Sequence, residues 1–215
     1  LIDADLRNPS ISKMFDTSNT QGLMDILLGK RNIQDCVKKT KQENLYILTG
    51  GTIPPNPAEV LSSKKMSEFI ESIRDEYDYI FIDCPPSLGM LTINSLTAVD
   101  SVLIPIQCEY YALEGVSQLM GTIKLVKSRL NPDLDIQGVV LSMFDGRANL
   151  SIQVVDEVKR YFKGSVYTTL IPRNVRLAEA PSHGKPVIYY DSKCKGAVAY
   201  MELAEEFIDL EEDII

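Results

Sequence analysis

Tyr79-Ile80-Phe81-Ile82-Asp83-Cys84-Pro85-Pro86 is an apolar run that carries a carboxylate at its tip and then stops at two prolines. A short apolar stretch bounded by a turn signal reads as a buried strand. The prolines lack amide donors and fix the backbone of the turn that follows. An aspartate at such a tip can hold a magnesium ion, directly or through water, beside nucleotide phosphates. Taken alone, it is more often a loop-starting or capping residue. Ser87-Leu88-Gly89 behind it, and a second acidic strand ending in Leu1-Ile2-Asp3-Ala4-Asp5, tip the reading toward phosphate chemistry.

Outward from this strand, short β-branched runs alternate with helical periods, the pattern of a parallel sheet with crossover helices. Strands are predicted at 1–3, 45–48, 79–83, 101–106, 136–142 and 166–170. Leu113, Val116, Met120, Ile123 and Val126 recur at three and four, as do Val154, Val155, Val158 and Phe162, and both stripes predict helices packed on a sheet. A helix is expected from Ser62 to Arg74. A last helix is expected from Gly196 to about Asp209, with Tyr200, Ala204, Phe207 and Ile208 inward and its acids outward. No repeat or linker interrupts the chain, so one domain over residues 1–215 is expected. Polar or Gly/Pro breaks follow several strands, and in an open α/β sheet ligands bind outside those carboxyl ends.

Composition narrows the chemistry. Of 215 residues only His183 is a histidine, too few for a multi-histidine zinc shell, and a Ser-His-Asp site would rest on it alone. Cys36, Cys84, Cys108 and Cys194 form no C-x-x-C pair, which fits a reduced, cytosolic setting. No apolar run reaches the roughly 18 residues that a membrane span needs. The net charge is −8, but Glu202, Glu205, Glu206, Asp209, Glu211, Glu212 and Asp213 hold seven of the thirty acids. The rest is nearly neutral and leaves room for a local nucleic-acid surface.

From Asp78 to about Phe207 the chain resembles the ParA/Soj chromosome-partitioning ATPases, deviant P-loop proteins related to MinD. The stretches that carry the likeness are YDYIFIDCPPSLGMLTINSLTAVDSVLIPIQCEYYALEG (77–115), IPRNVRLAEAPSHGKPVIYYD (171–191) and KGAVAYMELAEE (195–206). LIDADLRNPSISKMF (1–15), GLMDILLG (22–29) and GGTIPPNPAEVLSSKKM (50–66) are more similar to the bacterial tyrosine kinases of capsule and exopolysaccharide assembly. Leu6-Arg7-Asn8-Pro9 stands where Soj-like proteins usually have Asp-Pro-Gln-Gly.

The resemblance implies a fold and a set of roles. The fold is α/β, a mostly parallel sheet with helices on both faces. Asp3 and Asp5 end the Walker A′ strand, with Asp5 near the attacking water and Asp3 supporting the metal shell, and Asp83 is the Walker B aspartate. ATP and Mg2+ are the implied cofactors. Pro172, Arg173 and Asn174 match the loop that holds the adenine, assisted by residues near Met143 and Phe144. Glu109, Tyr110 and Tyr111 would lie near the interface of an ATP-bound homodimer, or form a packed loop. Lys195, with Lys193 and Lys185, falls where such proteins bind DNA without sequence preference, a contact that weakens with salt; such charges are otherwise a solvated face. A ParB-like activating protein and a cytoplasmic, nucleoid-associated setting are also implied. His183 reads as structural, and Gly50, Gly51 and the proline run at 54–57 as a rigid loop rather than a phosphate cradle.

No G-x-x-x-x-G-K-[ST] occurs, and neither does any Gly-Lys-Thr or Gly-Lys-Ser triplet. In both families that loop lies just upstream of the strand with which this sequence opens, so a strand, P-loop and helix of roughly 35 residues are expected before Leu1. On that expectation the 215 residues alone would be inactive, bind ATP negligibly and tend to aggregate. Two other function classes compete. One is a tyrosine kinase of polysaccharide export, although the chain ends in acids rather than a tyrosine cluster. The other is a non-catalytic interaction module on the same scaffold, which would not require three carboxylates at one edge.

Overall fold

A computed structural model describes residues 1–52, 63–110 and 112–212. The proline run at 54–57, Ser62, Tyr111, the side chain of Leu113 and Asp213 lie outside the described residues. The chain packs as two compact units, one of Leu1–Asp100 with Thr122–Leu134, the other of Ser101–Gly121 with Asp135–Ile215.

In the first unit, β1 (Ile2–Asp3) pairs in parallel with β4 (Ile82–Asp83), Ile2 opposite Ile82 and Asp3 opposite Asp83. The Ile2 and Ala4 amides donate to the carbonyls of Phe81 and Asp83, and the Asp3 amide donates to Leu48 on the other side. β1 is therefore enclosed between two segments, and its side chains are buried. An antiparallel pair, β2 (Lys38–Lys39) and β3 (Tyr46–Ile47), leads into Leu48. The helix Ser63–Ile73 turns Met66, Phe69, Ile70 and Ile73 to one side, where they join Ile2, Leu6, Leu23, Met24 and Leu91 in the core. The helix Met90–Ala98 ends under the Asn131 side-chain amide, which donates to the carbonyls of Leu96 and Val99. Those carbonyls would otherwise lack partners at the helix end.

In the second unit, β5 (Ser101–Gln107), β6 (Asp135–Phe144) and β7 (Val166–Pro172) form a parallel sheet in that order. The helix Asn149–Phe162 makes the crossover from β6 to β7, and buries Val154, Val155, Val158 and Phe162, the stripe expected from sequence. Gly138 on β6 is a position where a Cβ would overlap the ring of Tyr167, so the ring packs against bare backbone. The last helix, Lys195–Glu212, covers β7.

That helix corrects the expected inward face. Tyr200 and Ile208 are 44% and 45% exposed, and Ala204 is exposed too. The face toward the sheet is Ala199, Leu203 and Phe207, while Gly196 fits beside Leu177 with no room for a Cβ. Ala199, Leu203 and Phe207 recur at four and form one stripe, so Phe207 is inward as expected, while Tyr200, Ala204 and Ile208 each fall one residue round the helix from it. Glu206, expected outward, instead accepts hydrogen bonds from the amides of Thr168 and Thr169 and from the Thr168 hydroxyl. The architecture is α/β with mostly parallel pairing, as expected. Among the described residues no helix is long and apolar enough to cross a membrane.

Candidate functional site

The register of β1 and β4 decides the geometry of the first unit. Because the two strands run in parallel and end together, Asp3 and Asp83 leave the sheet as direct neighbours. Asp5 stands two residues past Asp3, in a tight turn where its carboxylate accepts the amides of Arg7 (3.2 Å) and Asn8 (3.1 Å). The three carboxylates thus share one edge.

Their environments differ. Asp3 has no exposed surface. Its Oδ2 accepts the amides of Ser10 and Ile11, each at 3.1 Å, at the start of the short helix Ile11–Met14. Its Oδ1 is buried without a hydrogen-bond partner. Burial raises the Asp3 carboxyl above its ordinary range, the Ile11 and Ser10 amides oppose that, and the negative charge of Asp83 adds to it. Asp83 is also held high, by desolvation first and then by Asp5. Crowded carboxylates with raised pKa values and one orphaned oxygen favour an added positive charge, and a divalent cation suits that donor set. Among the described residues no group of three His, Cys, Asp or Glu side chains is close enough to encircle a metal ion by itself. A magnesium ion, which keeps several waters and takes phosphate oxygens, fits such a partial shell better than a zinc or calcium ion. Asp83 is exposed at the end of its strand, whereas the unpartnered Oδ1 of Asp3 is buried.

The turn after β4 is pinned by Thr92, whose hydroxyl donates to the carbonyl of Ser87 at 2.6 Å. Arg7 was not singled out from the sequence; its guanidinium reaches to the neighbourhood of Gly89 in that turn. The departure of Leu6-Arg7-Asn8-Pro9 from the usual Soj segment was the available signal.

In the second unit, the ends of β6 and β7 meet where Phe144 stands opposite Pro172 and the Arg173 amide donates to the Phe144 carbonyl at 2.9 Å. Met143, Phe144, Pro172, Arg173 and Asn174 are thereby brought together. Asn174 caps the helix Val175–Glu179, its side-chain oxygen accepting the Arg176 amide at 2.8 Å. Arg173 forms an ion pair with Glu109, which follows β5, while Tyr110 beside it is 74% exposed. Arg147, also missed in the sequence, grips Asp145 through two guanidinium bonds and its own amide, holding that carboxyl down at about 2.

Lys185, Lys193 and Lys195 are all exposed. The two acids of this segment, Glu179 and Asp191, both pair with Arg176. Among the described residues no ion pair reaches the three lysines, so the local positive balance expected from sequence rests on them. His183 stacks on Tyr190 with ring centroids 4.9 Å apart, a packing contact in keeping with a structural role.

In a parallel α/β scaffold ligands bind at the carboxyl ends of the strands, where these carboxylates lie, and comparison with known proteins gives the class. MinD from Pyrococcus horikoshii, solved with Mg-ADP, superposes with a TM-score of 0.77 over 98% of this chain and 83% of its own, at 25% identity. A family model described as an AAA domain matches residues 1–136. The sporulation initiation inhibitor Soj of Bacillus subtilis is 53% identical over 192 residues, 86% of this chain and 76% of its own length. The chromosome partitioning protein ParA of Caulobacter vibrioides (strain NA1000 / CB15N) is 45% identical, covering 99% of this chain and 83% of its own length. The chain belongs to the ParA/Soj/MinD-type P-loop ATPases. The Caulobacter match extends the partition-type likeness through the first 66 residues, beyond the stretches that carried it in the sequence.

Proposed function

We propose that this protein is a partition-type ATPase that binds ATP with Mg2+ and hydrolyses it in the service of chromosome or plasmid segregation. The observation that carries the reading is the pairing of Asp3 with Asp83 in one register, with Asp5 just beyond. Phosphoryl transfer needs positioning and charge neutralisation more than covalent help. Bound Mg2+ would supply that neutralisation at the phosphate oxygens. Asp83 would hold it, directly or through water, and Asp3 would support the metal shell. Asp5, fixed by the Arg7 and Asn8 amides, would orient the attacking water. Pro172, Arg173 and Asn174, with Met143 and Phe144, would hold the adenine.

The same reading extends to partners. The ATP-bound form would be a homodimer with Glu109 and Tyr110 near its interface, and its cytoplasmic location would be on the nucleoid. Lys185, Lys193 and Lys195 would bind DNA through backbone phosphates, and a ParB-like protein would stimulate turnover. The test is ATP-dependent retention of the complete gene product on DNA at low salt, with and without Lys195→Ala. Retention that is indifferent to nucleotide would refute the partition reading. The tyrosine kinase reading keeps one specific support, the segment Leu6–Pro9 in place of Asp-Pro-Gln-Gly. An anti-phosphotyrosine signal that needs ATP and vanishes in Asp5→Asn would favour it instead.

A further inference from the structure

The last helix, Lys195–Glu212, carries two apolar stripes. Ala199, Leu203 and Phe207 face the sheet. By the helical period, Val198, Met201 and Ile208 lie on the opposite side with Glu205 among them, and they are 44%, 50% and 45% exposed. Glu202, Asp209 and Glu212 flank this outer stripe. They and Glu205 are exposed, and among the described residues no ion pair neutralises them. Singly exposed apolar side chains are ordinary on a folded surface. A second stripe at helical spacing, on a helix already buried along its first, is not.

The first unit holds a surface of the opposite character. Between the helices Leu23–Leu27, Ile33–Cys36 and Ser63–Ile73 lies an open groove of about 380 Å³, large enough to take apolar side chains from outside. Leu27 and Phe69 belong to the core beneath it, and the half-buried Ile26, Leu28 and Ile33 line it. Lys65 is tied to one wall, its ammonium donating to the Leu27 carbonyl at 3.2 Å. Glu68, an acid on the same wall, is paired with Lys64 at 3.6 Å. Gly29, also lining the groove, turns the chain with φ +69° and is followed at once by Lys30 and Arg31. Both are exposed, and among the described residues neither has an ion pair. The groove is thus apolar within and positive along its rim.

We propose that the outer face of the last helix of one copy docks in this groove on a second copy. Met201, with Val198 and Ile208, enters between Ile26, Leu28 and Ile33, while Glu205 and Asp209 meet Lys30 and Arg31. Apolar anchors set inside a charged rim are the ordinary anatomy of a helix-in-groove contact. Methionine, unbranched and polarisable, suits an irregular groove. Groove and helix are different surfaces, so the contact is heterologous: each copy offers both halves, and copies add head to tail. It is distinct from the ATP-bound homodimer proposed above and needs no nucleotide.

The experiment is sedimentation of the complete gene product without nucleotide, at low salt, in a concentration series up to about 100 μM. Association that rises with concentration and weakens with added salt is expected. Lys30→Glu with Arg31→Glu, and separately Glu205→Lys with Asp209→Lys, should each weaken it at least about tenfold. Mixing these two variants should restore it, because each reversed surface then meets its complement. Met201→Ser should weaken it about tenfold with the charges intact. All five positions are exposed, so the variants should keep the thermal midpoint of the unaltered protein. A protein that stays monomeric throughout, association indifferent to either pair of reversals, no recovery in the mixture, or association that ignores Met201→Ser would each overturn the proposal.

Discussion

The carboxylate edge of the first unit and the loop edge of the second solve the problem of holding polar groups in opposite ways. At the first, Asp3 is buried on backbone amides and leaves one oxygen unpaired among like charges. At the second, the charges are paired and solvated, Arg147 with Asp145 and Arg173 with Glu109, and the tension lies in the backbone at Met143, whose φ is positive. The difference teaches where each edge expects its ligand to act: one lacks positive charge, the other presents shape.

The largest expected effect tests the charge side of that contrast. Asp83→Asn in the complete gene product should cut ATP turnover by about 100- to 1000-fold, the scale for losing one electrostatic stabiliser at a reacting centre. Its thermal midpoint should not fall, because a carboxyl held above its ordinary pKa is destabilising when ionised. A variant that loses activity only because it unfolds would contradict this.

A smaller effect tests packing in the second unit. Gly138→Ala drives a methyl into the Tyr167 ring, which is 2% exposed and cannot swing away. The expected cost is about 1–3 kcal/mol in denaturant unfolding. A neutral result would mean that the ring does not lie on Gly138.

The two units should also answer acid with opposite signs. Asp3 and Asp83 have folded values above 3.8, so the folded first unit binds protons more tightly than the unfolded chain. Its stability falls as pH rises through the window above 3.8 and returns on acidification. Glu206 is the contrary case: burial works against its charge, but the Thr168 and Thr169 amides outweigh it and hold the carboxyl below 4.5. That contribution is present above the unfolded value and lost as pH falls through the folded one. Asp145 has the same sign, but it is exposed and screened, and adds little. Amide exchange, corrected for intrinsic rates, should slow at Asp3 and Ala4 as pH falls toward 3.8, and quicken at Thr168 and Thr169 as pH falls below 4.5. Parallel behaviour in both places would remove the contrast.

The smallest expected effect concerns the lysines. Lys195→Ala should weaken DNA binding by a modest, sequence-independent factor, and lower the slope of log affinity against log salt by about 1. An unchanged slope would take Lys195 off the DNA.

How far sequence reached follows from what each feature depends on. The strands at 101–106, 136–142 and 166–170 and the helical stripe at 154–162 were legible because apolar period alone specifies them. The short pair Lys38–Lys39 with Tyr46–Ile47 was only half legible, since two lysines carry no strand pattern. On the last helix Phe207 was placed inward correctly, but Tyr200, Ala204 and Ile208 were not, because apolar residues one step apart leave the inward stripe ambiguous and Ala199 and Leu203 complete it. At the candidate site the carboxylates were legible by type and position. The cap that Asp3 makes on Ser10 and Ile11 was not, because it joins residues through backbone amides that have no sequence signature. Arg147 was hidden inside a polar turn, and the positive φ of Met143 had no glycine to announce it.

The central claim is that carboxylates from β1 and β4 serve one divalent cation. Its most direct test is a Mn2+ titration followed by electron paramagnetic resonance, on the complete gene product with ADP present and on its Asp83→Asn and Asp3→Asn variants. One ion should bind per nucleotide and be lost or weakened at least about tenfold in Asp83→Asn, with a smaller loss in Asp3→Asn. Unaltered Mn2+ affinity in both variants would contradict the claim.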